Sequence, residues 1–147
     1  MKKLVFASLA MMFLMFGCNS GNDGGGKAKN PQKSKMALED GYDYLYHSQT
    51  EKALKCFNEA IEYDNGNYEA YYYRGCAYEH LYNTKQALRD WEKAIEINPD
   101  YPEPYFNIGL YHRRINDYPM ACYYFKLAEK HGRKNMEDYV KYCDYYE

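Results

Sequence analysis

The chain lacks a hydrophobic run long enough to cross a membrane comfortably. Its longest, Leu4 to Phe16, is 13 residues, well short of the roughly 20 that a helical span needs. It also lacks a charge field of one sign. The 19 basic and 21 acidic residues leave a formal net charge of −2, and runs of like charge are missing from residues 34–135. No basic field therefore points to nucleic acid as a partner. Catalytic signatures are missing as well: there is no H-E-x-x-H, G-x-S-x-G, P-loop or C-x-x-C. Gly24-Gly25-Gly26 has no strand before it and no helix start after it, so it is not a phosphate cradle. Cysteine is sparse beyond Cys18. Cys56, Cys76, Cys122 and Cys143 lack the dense spacing of a disulfide framework. Small buried thiols are expected rather than bridges, although an oxidising compartment would permit three pairings. Cys76 and His80 stand at i, i+4 and could share a metal ion, but no third ligand accompanies them, so no metal and no cofactor is expected.

What the chain does have is a period. Gly41, Gly75 and Gly109 stand 34 residues apart. Ala53, Ala87 and Ala121 keep the same step, as do Phe57, Trp91 and Phe125, and then Ala60, Ala94 and Ala128. Four columns in phase over three copies mean one supersecondary unit stacked on itself. The hydrophobic share of 46%, with 20 tyrosines, suits a folded domain with a core.

Within each unit the columns fall on helical spacing. Ala53, Phe57 and Ala60 occupy one face, and Tyr71, Gly75 and Tyr78 form the matching stripe on the preceding helix of the middle unit. Small residues at Gly75 and Ala87 let two helix axes approach, with Trp91 filling the wedge beside them. Thr50, Thr84 and Asp117 sit where helix N-caps are needed, and Pro119 at a first-turn position. Asp64-Asn65-Gly66-Asn67, Asn98-Pro99-Asp100 and His131-Gly132-Arg133 are turn-forming runs between units.

These motifs carry a specific resemblance. Tyr71-x-x-Arg74-Gly75-x-x-Tyr78, then Ala87-x-x-x-Trp91, then Pro99, resembles the tetratricopeptide repeat (TPR) signature. Residues 102–135 fit through Tyr105, Ile108, Gly109, Ala121, Phe125 and Ala128, with Arg133 where the closing proline would stand. Residues 34–67 fit through Gly41, Tyr44, Ala53, Phe57 and Ala60. The expectation is an all-α protein: an α-solenoid of three TPR helix-turn-helix repeats (34–67, 68–101 and 102–135) followed by a capping helix over residues 136–147. In that cap, Tyr139, Tyr142, Cys143 and Tyr146 would face the last repeat.

The N-terminus carries a second resemblance. Lys2 and Lys3, the apolar stretch, then Gly17-Cys18 and polar Gly-rich sequence resemble a bacterial lipoprotein signal, in which the cysteine thiol takes the lipid. Met15 and Phe16 stand where that family usually has leucine and a small residue. An uncleaved signal, or one cut elsewhere such as after Ser20, is the other reading. The lipoprotein resemblance implies a signal peptide over 1–17, lipid on Cys18 and a flexible tether through residue 33. It also implies an exported protein facing the periplasm, on the outer membrane of a Gram-negative cell.

The repeat family's geometry implies a concave wall built from the first helix of each unit. Leu38, Tyr42, Leu45 and Tyr46 would line it first, then Tyr72, Cys76, Glu79 and His80, then Phe106, Leu110, Arg113 and Arg114, with Val140 and Asp144 closing one end. An apolar, aromatic groove suits an extended peptide or partner helix. The carboxylate clamp that some TPR domains use is not matched. Its positions read Leu38, Tyr42, Tyr73, Glu103 and Asn107, of which Asn107 alone is compatible, as a donor to peptide backbone. The expected function is a non-catalytic, membrane-tethered interaction scaffold. The alternative is a cell-wall glycan-binding module that stacks tyrosines on sugars.

Overall fold

The computed structural model describes residues 28–141 and 143–145. The signal sequence, Cys18 and the tether as far as residue 27 lie outside the described residues, as do Tyr142 and Tyr146. The helices are α1 (Pro31–Tyr46), α2 (Thr50–Tyr63), α3 (Tyr68–His80), α4 (Thr84–Ile97), α5 (Pro102–Arg114), α6 (Tyr118–Lys130) and α7 (Glu137–Val140), followed by a 3-10 turn at Cys143–Tyr145. The first six pair as hairpins α1/α2, α3/α4 and α5/α6, and each hairpin stacks on the next through α2 against α3 and α4 against α5.

The three glycines occupy equivalent surroundings. A Cβ placed on Gly41 would stand 2.5 Å from the Phe57 ring, on Gly75 2.6 Å from the Trp91 indole and on Gly109 2.7 Å from the Phe125 ring. Nothing larger than hydrogen fits there, so the ring of each second helix rests directly on the backbone of the first. The alanine columns at 53, 87 and 121 and at 60, 94 and 128 are buried and close the same seams. In the middle hairpin a polar lock is added. Arg74 donates from Nε and Nη2 to the two carboxylate oxygens of Asp90, each at 2.7 Å, and from Nη1 to Asn58 on α2 at 2.7 Å. Burial works against the Arg74 guanidinium, but the hydrogen bonds and charge of Asp90 outweigh it and hold its pKa above the ordinary value.

The turns repeat as faithfully as the core. Ser48, Tyr82 and Asn116 each take a left-handed φ near 60°, and each is followed by the N-cap of the second helix: Gln49, Asn83 and Asp117. The Asn83 and Asp117 side chains accept from the N–H of Gln86 and Met120. Thr50 and Thr84, expected as caps, are instead the first helical residues; the residue that keeps non-helical angles stands one position earlier.

Three further expectations are corrected. The first helix does not wait for Ser34. It begins at Pro31 behind Asn30, whose side chain accepts from the Lys33 N–H, because proline is compatible with a first turn. The cap is not one helix across 136–147 but the four residues of α7 and a separate 3-10 turn. Cysteines 122 and 143 are bridged, with sulfurs 2.11 Å apart and Cα atoms 5.3 Å apart, so Cys143 does more than occupy a small slot. Stacking brings the turn after α7 back onto α6, a proximity that sequence spacing does not disclose. Cys56, also expected as a buried thiol, is disulfide-bonded as well, and Cys76 remains a free thiol. Among the described residues no helix is long and apolar enough to cross a membrane.

Candidate interaction groove

Helices α1, α3 and α5 present two cavities between them. The first, of about 560 Å³, lies between α1 and α3 and takes Lys35, Leu38, Glu39 and Tyr42 from α1, Tyr68, Glu69 and Tyr73 from α3, and Asp64, Gly66 and Asn67 from the turn. The second, of about 500 Å³, lies between α3 and α5. Cys76, Glu79 and His80 line one side and Asn107, Leu110, Tyr111, Arg113 and Arg114 the other, with Trp91 of α4 reaching in.

The partition follows position along α3, because Glu69, Tyr73, Cys76 and His80 share one helical stripe: the first half of the helix lines the cavity with α1, and Cys76 with the last turn lines the cavity with α5. A chain of phenol rings lines and backs the α1–α3 cavity, and its Tyr72 lies beside Cys76 of the other cavity. Tyr42 meets Tyr73 with centroids 5.4 Å apart, Tyr73 meets Tyr72 at 5.0 Å, Tyr72 meets Tyr101 at 5.2 Å and Tyr101 meets Tyr68 at 5.0 Å. All four contacts are edge-to-face, the arrangement the ring quadrupole favours. Burial first, then the Cys76 thiol beside it, raises the Tyr72 hydroxyl pKa; burial first, then Tyr72 and Tyr73, raises that of Tyr101. Both phenols stay neutral as recognition surfaces.

In the α3–α5 cavity the polar groups pair across the repeat junction. Arg114 donates to Glu79 and, at 3.4 Å, to Thr84 Oγ1. Asn107 donates to the Cys76 sulfur at 3.6 Å. Burial pushes the Cys76 thiol up to about 11, against the polar hydrogens of Tyr72, Trp91 and Asn107 beside it, which favour the thiolate. At ordinary geometry Trp91 Nε1 finds no nitrogen or oxygen partner.

The structure gathers Cys76, Glu79, His80, Asn107, Leu110, Arg113 and Arg114 in one cavity and Leu38 and Tyr42 in the other. Tyr72 lies in the ring chain, beside Cys76. Leu45 packs on the first hairpin's core instead, and Tyr46, 77% exposed, leans on His47. Phe106 is buried against Phe125 and Tyr139, with the Arg133 guanidinium 3.8 Å from its ring centroid. Val140 joins that core, and Asp144 pairs with Lys126 at 3.6 Å. Of the clamp positions, Glu103 pairs with Arg133 at 3.8 Å. Sequence reasoning missed Tyr68, Glu69, Tyr73, Trp91 and Tyr111 as cavity residues. Trp91 is assigned to packing by its column, and Tyr68 and Glu69 are the first residues of α3, which acquire a wall only once α1 is packed opposite.

Stacked helical hairpins with a wall built from each first helix define a helical-repeat interaction domain. Residues 56–89 match the family model described as tetratricopeptide repeat, and residues 83–114 match that described as TPR repeat, so the tetratricopeptide-repeat pattern is matched across residues 56–114. It is 28% identical over 116 residues to Hsp70-Hsp90 organizing protein 3 of Arabidopsis thaliana, covering 78% of this chain and 21% of that protein. It is 41% identical over 64 residues to DnaJ homolog subfamily C member 3 of Gallus gallus, covering 44% of this chain and 13% of that protein. The chain thus spans about a fifth or less of the length of these curated relatives. Among solved structures, the first TPR of Spaghetti (RPAP3) bound to HSP90 peptide SRMEEVD superposes with a TM-score of 0.71 at 18% identity, over 82% of this chain and 97% of that one. The Arabidopsis OM64 TPR domain gives 0.70 at 24%, over 79% and 98%. At these identities the structures establish the fold.

Proposed function

We propose that the protein is a non-catalytic scaffold that binds a peptide or a segment of a partner protein along the α1–α3–α5 face, and that lipid on Cys18 tethers it to a membrane facing the periplasm. The observation that carries the groove is the pair of cavities on successive first helices, which adjoin through Tyr73, Tyr72 and Cys76 on α3. An open face with two adjoining cavities suits an extended ligand rather than an enclosed reaction. The relative named as an Hsp70-Hsp90 organizing protein, and a structural neighbour described with a peptide bound, support protein binding as the class of activity. Near-zero net charge leaves nucleic acid without an electrostatic argument.

A photo-crosslinking side chain placed at Tyr42 or Leu110 should capture a partner in intact cells, and one at exposed Arg89 on α4 should not. Equal capture from Arg89 would remove the groove assignment. Sedimentation with peptidoglycan in place of protein capture would favour the glycan reading. The tether is tested separately: Cys18→Ala should release the protein from the membrane fraction, and continued lipid labelling of that variant would refute it.

A further inference from the structure

We infer that the α1–α3 cavity is a subsite for a cationic side chain, lysine or arginine, of the bound peptide, seated against Tyr42 and Tyr73 with Glu69 as its counter-charge. The inference rests on the groove reading and adds the chemistry of its occupant.

The walls are aromatic and differently oriented. The Tyr42 and Tyr73 rings meet at 77° with centroids 5.4 Å apart, and Tyr68 adds a third ring. Aromatic faces attract ammonium and guanidinium groups through the ring quadrupole, most strongly where water is partly excluded. Tyr42 is 52% exposed, so its ring is open to a ligand.

The charge is of the matching sign. Glu39, Asp64 and Glu69 line the cavity against the single cation Lys35. Two of these carboxylates already hold an ammonium group of this chain, Asp64 that of Lys29 at 3.3 Å and Glu39 that of Lys35 at 3.8 Å. Glu69 has no ion-pair partner among the described residues. Its field is felt inside the site: the Tyr73 hydroxyl is raised above its ordinary pKa by burial first, then by Tyr42 and Glu69, with smaller contributions from Cys76 and Glu103. The neighbouring cavity has the opposite bias, Arg113 and Arg114 against Glu79, so a peptide lying across both is read in one direction.

The test uses the full chain in detergent and three labelled octapeptides, alternating alanine with lysine, glutamate or norleucine, followed by fluorescence anisotropy at low ionic strength. The lysine peptide should bind and the other two should not. Glu69→Gln should weaken it about tenfold and Tyr42→Ala about fivefold, while Glu92→Gln on α4, which removes the same charge elsewhere, should change it less than about twofold. Unchanged melting curves would establish that the variants stay folded. Equal binding of the glutamate or norleucine peptide overturns the subsite, as does a loss no greater for Glu69→Gln than for Glu92→Gln. Failure of the lysine peptide to bind at all also overturns it, and leaves the groove to be judged by crosslinking from Tyr42 and Leu110 alone. Dominant crosslinking from Arg89 would instead remove the groove itself.

Discussion

The middle hairpin and the last one are built on the same columns but completed by different means. α3/α4 has a hairpin on either side, and its Arg74 reaches both Asp90 within the hairpin and Asn58 on the preceding one. Among the described residues, α5/α6 is followed by a short cap and not by another hairpin. Its exposed flank is covered by Met136, Tyr139 and Val140, and the end is fastened by the Cys122–Cys143 bridge and the Lys126–Asp144 pair. A repeat in the interior of a stack is held by its neighbours, whereas a terminal one must find a substitute for the missing interface. Here the substitute is a short aromatic lid with a covalent bond.

The comparison predicts a ranking of effects. The largest belongs to the middle of the stack: Trp91→Ala, at a side chain only 3% exposed, should cost about 3–5 kcal/mol and collapse the thermal transition. A melting temperature close to the parent would show that Trp91 is not the wedge under Gly75. Next, Arg74→Met should cost about 3 kcal/mol, because Asp90, 6% exposed, loses the partner that compensates its burial. The double variant Arg74→Met with Asp90→Leu should recover much of this in urea titrations; if it does not, the pair contributes through packing instead.

Reducing the Cys122–Cys143 bridge, which closes a sequence separation of 21, should cost about 2–3 kcal/mol. Hydrogen exchange should then rise first in α6 and α7 and leave α3 and α4 protected. Uniform loss of protection would mean that the cap supports the whole stack rather than its end. The Cys76 thiol, raised to about 11 by burial, should alkylate slowly at pH 8, on the order of a hundredfold below an exposed cysteine, and speed up as pH rises toward that value. Rapid labelling at neutral pH, followed by peptide mapping, would show the α3–α5 cavity to be open around it. Smallest of all, Tyr82→Gly at a 94% exposed residue with φ 58° should leave stability unchanged or raise it by about 1 kcal/mol.

Much of this was legible because a repeat makes the same demand three times. Gly41, Gly75 and Gly109 announce a close approach, and the ring sixteen residues later names what approaches. The cap residues were harder. Asn83 and Thr84 are both good cap formers, and only the backbone angles decide between them. Tyr46 and Tyr42 are chemically alike, four residues apart on α1, yet Tyr42 meets Tyr73 whereas Tyr46, 77% exposed, leans on His47.

Periodicity by itself determined the helix pairs, their register and the residues of each seam, since those depend on contacts within one repeat and between adjacent ones. The share of the cavity lining that comes from Tyr68, Glu69, Tyr73, Trp91 and Tyr111, the bridge between Cys122 and Cys143 and the broken form of the cap were decided by tertiary structure alone. Each depends on which side chains from distant segments come to face one another, and a distance across the stack is not written in the spacing along the chain.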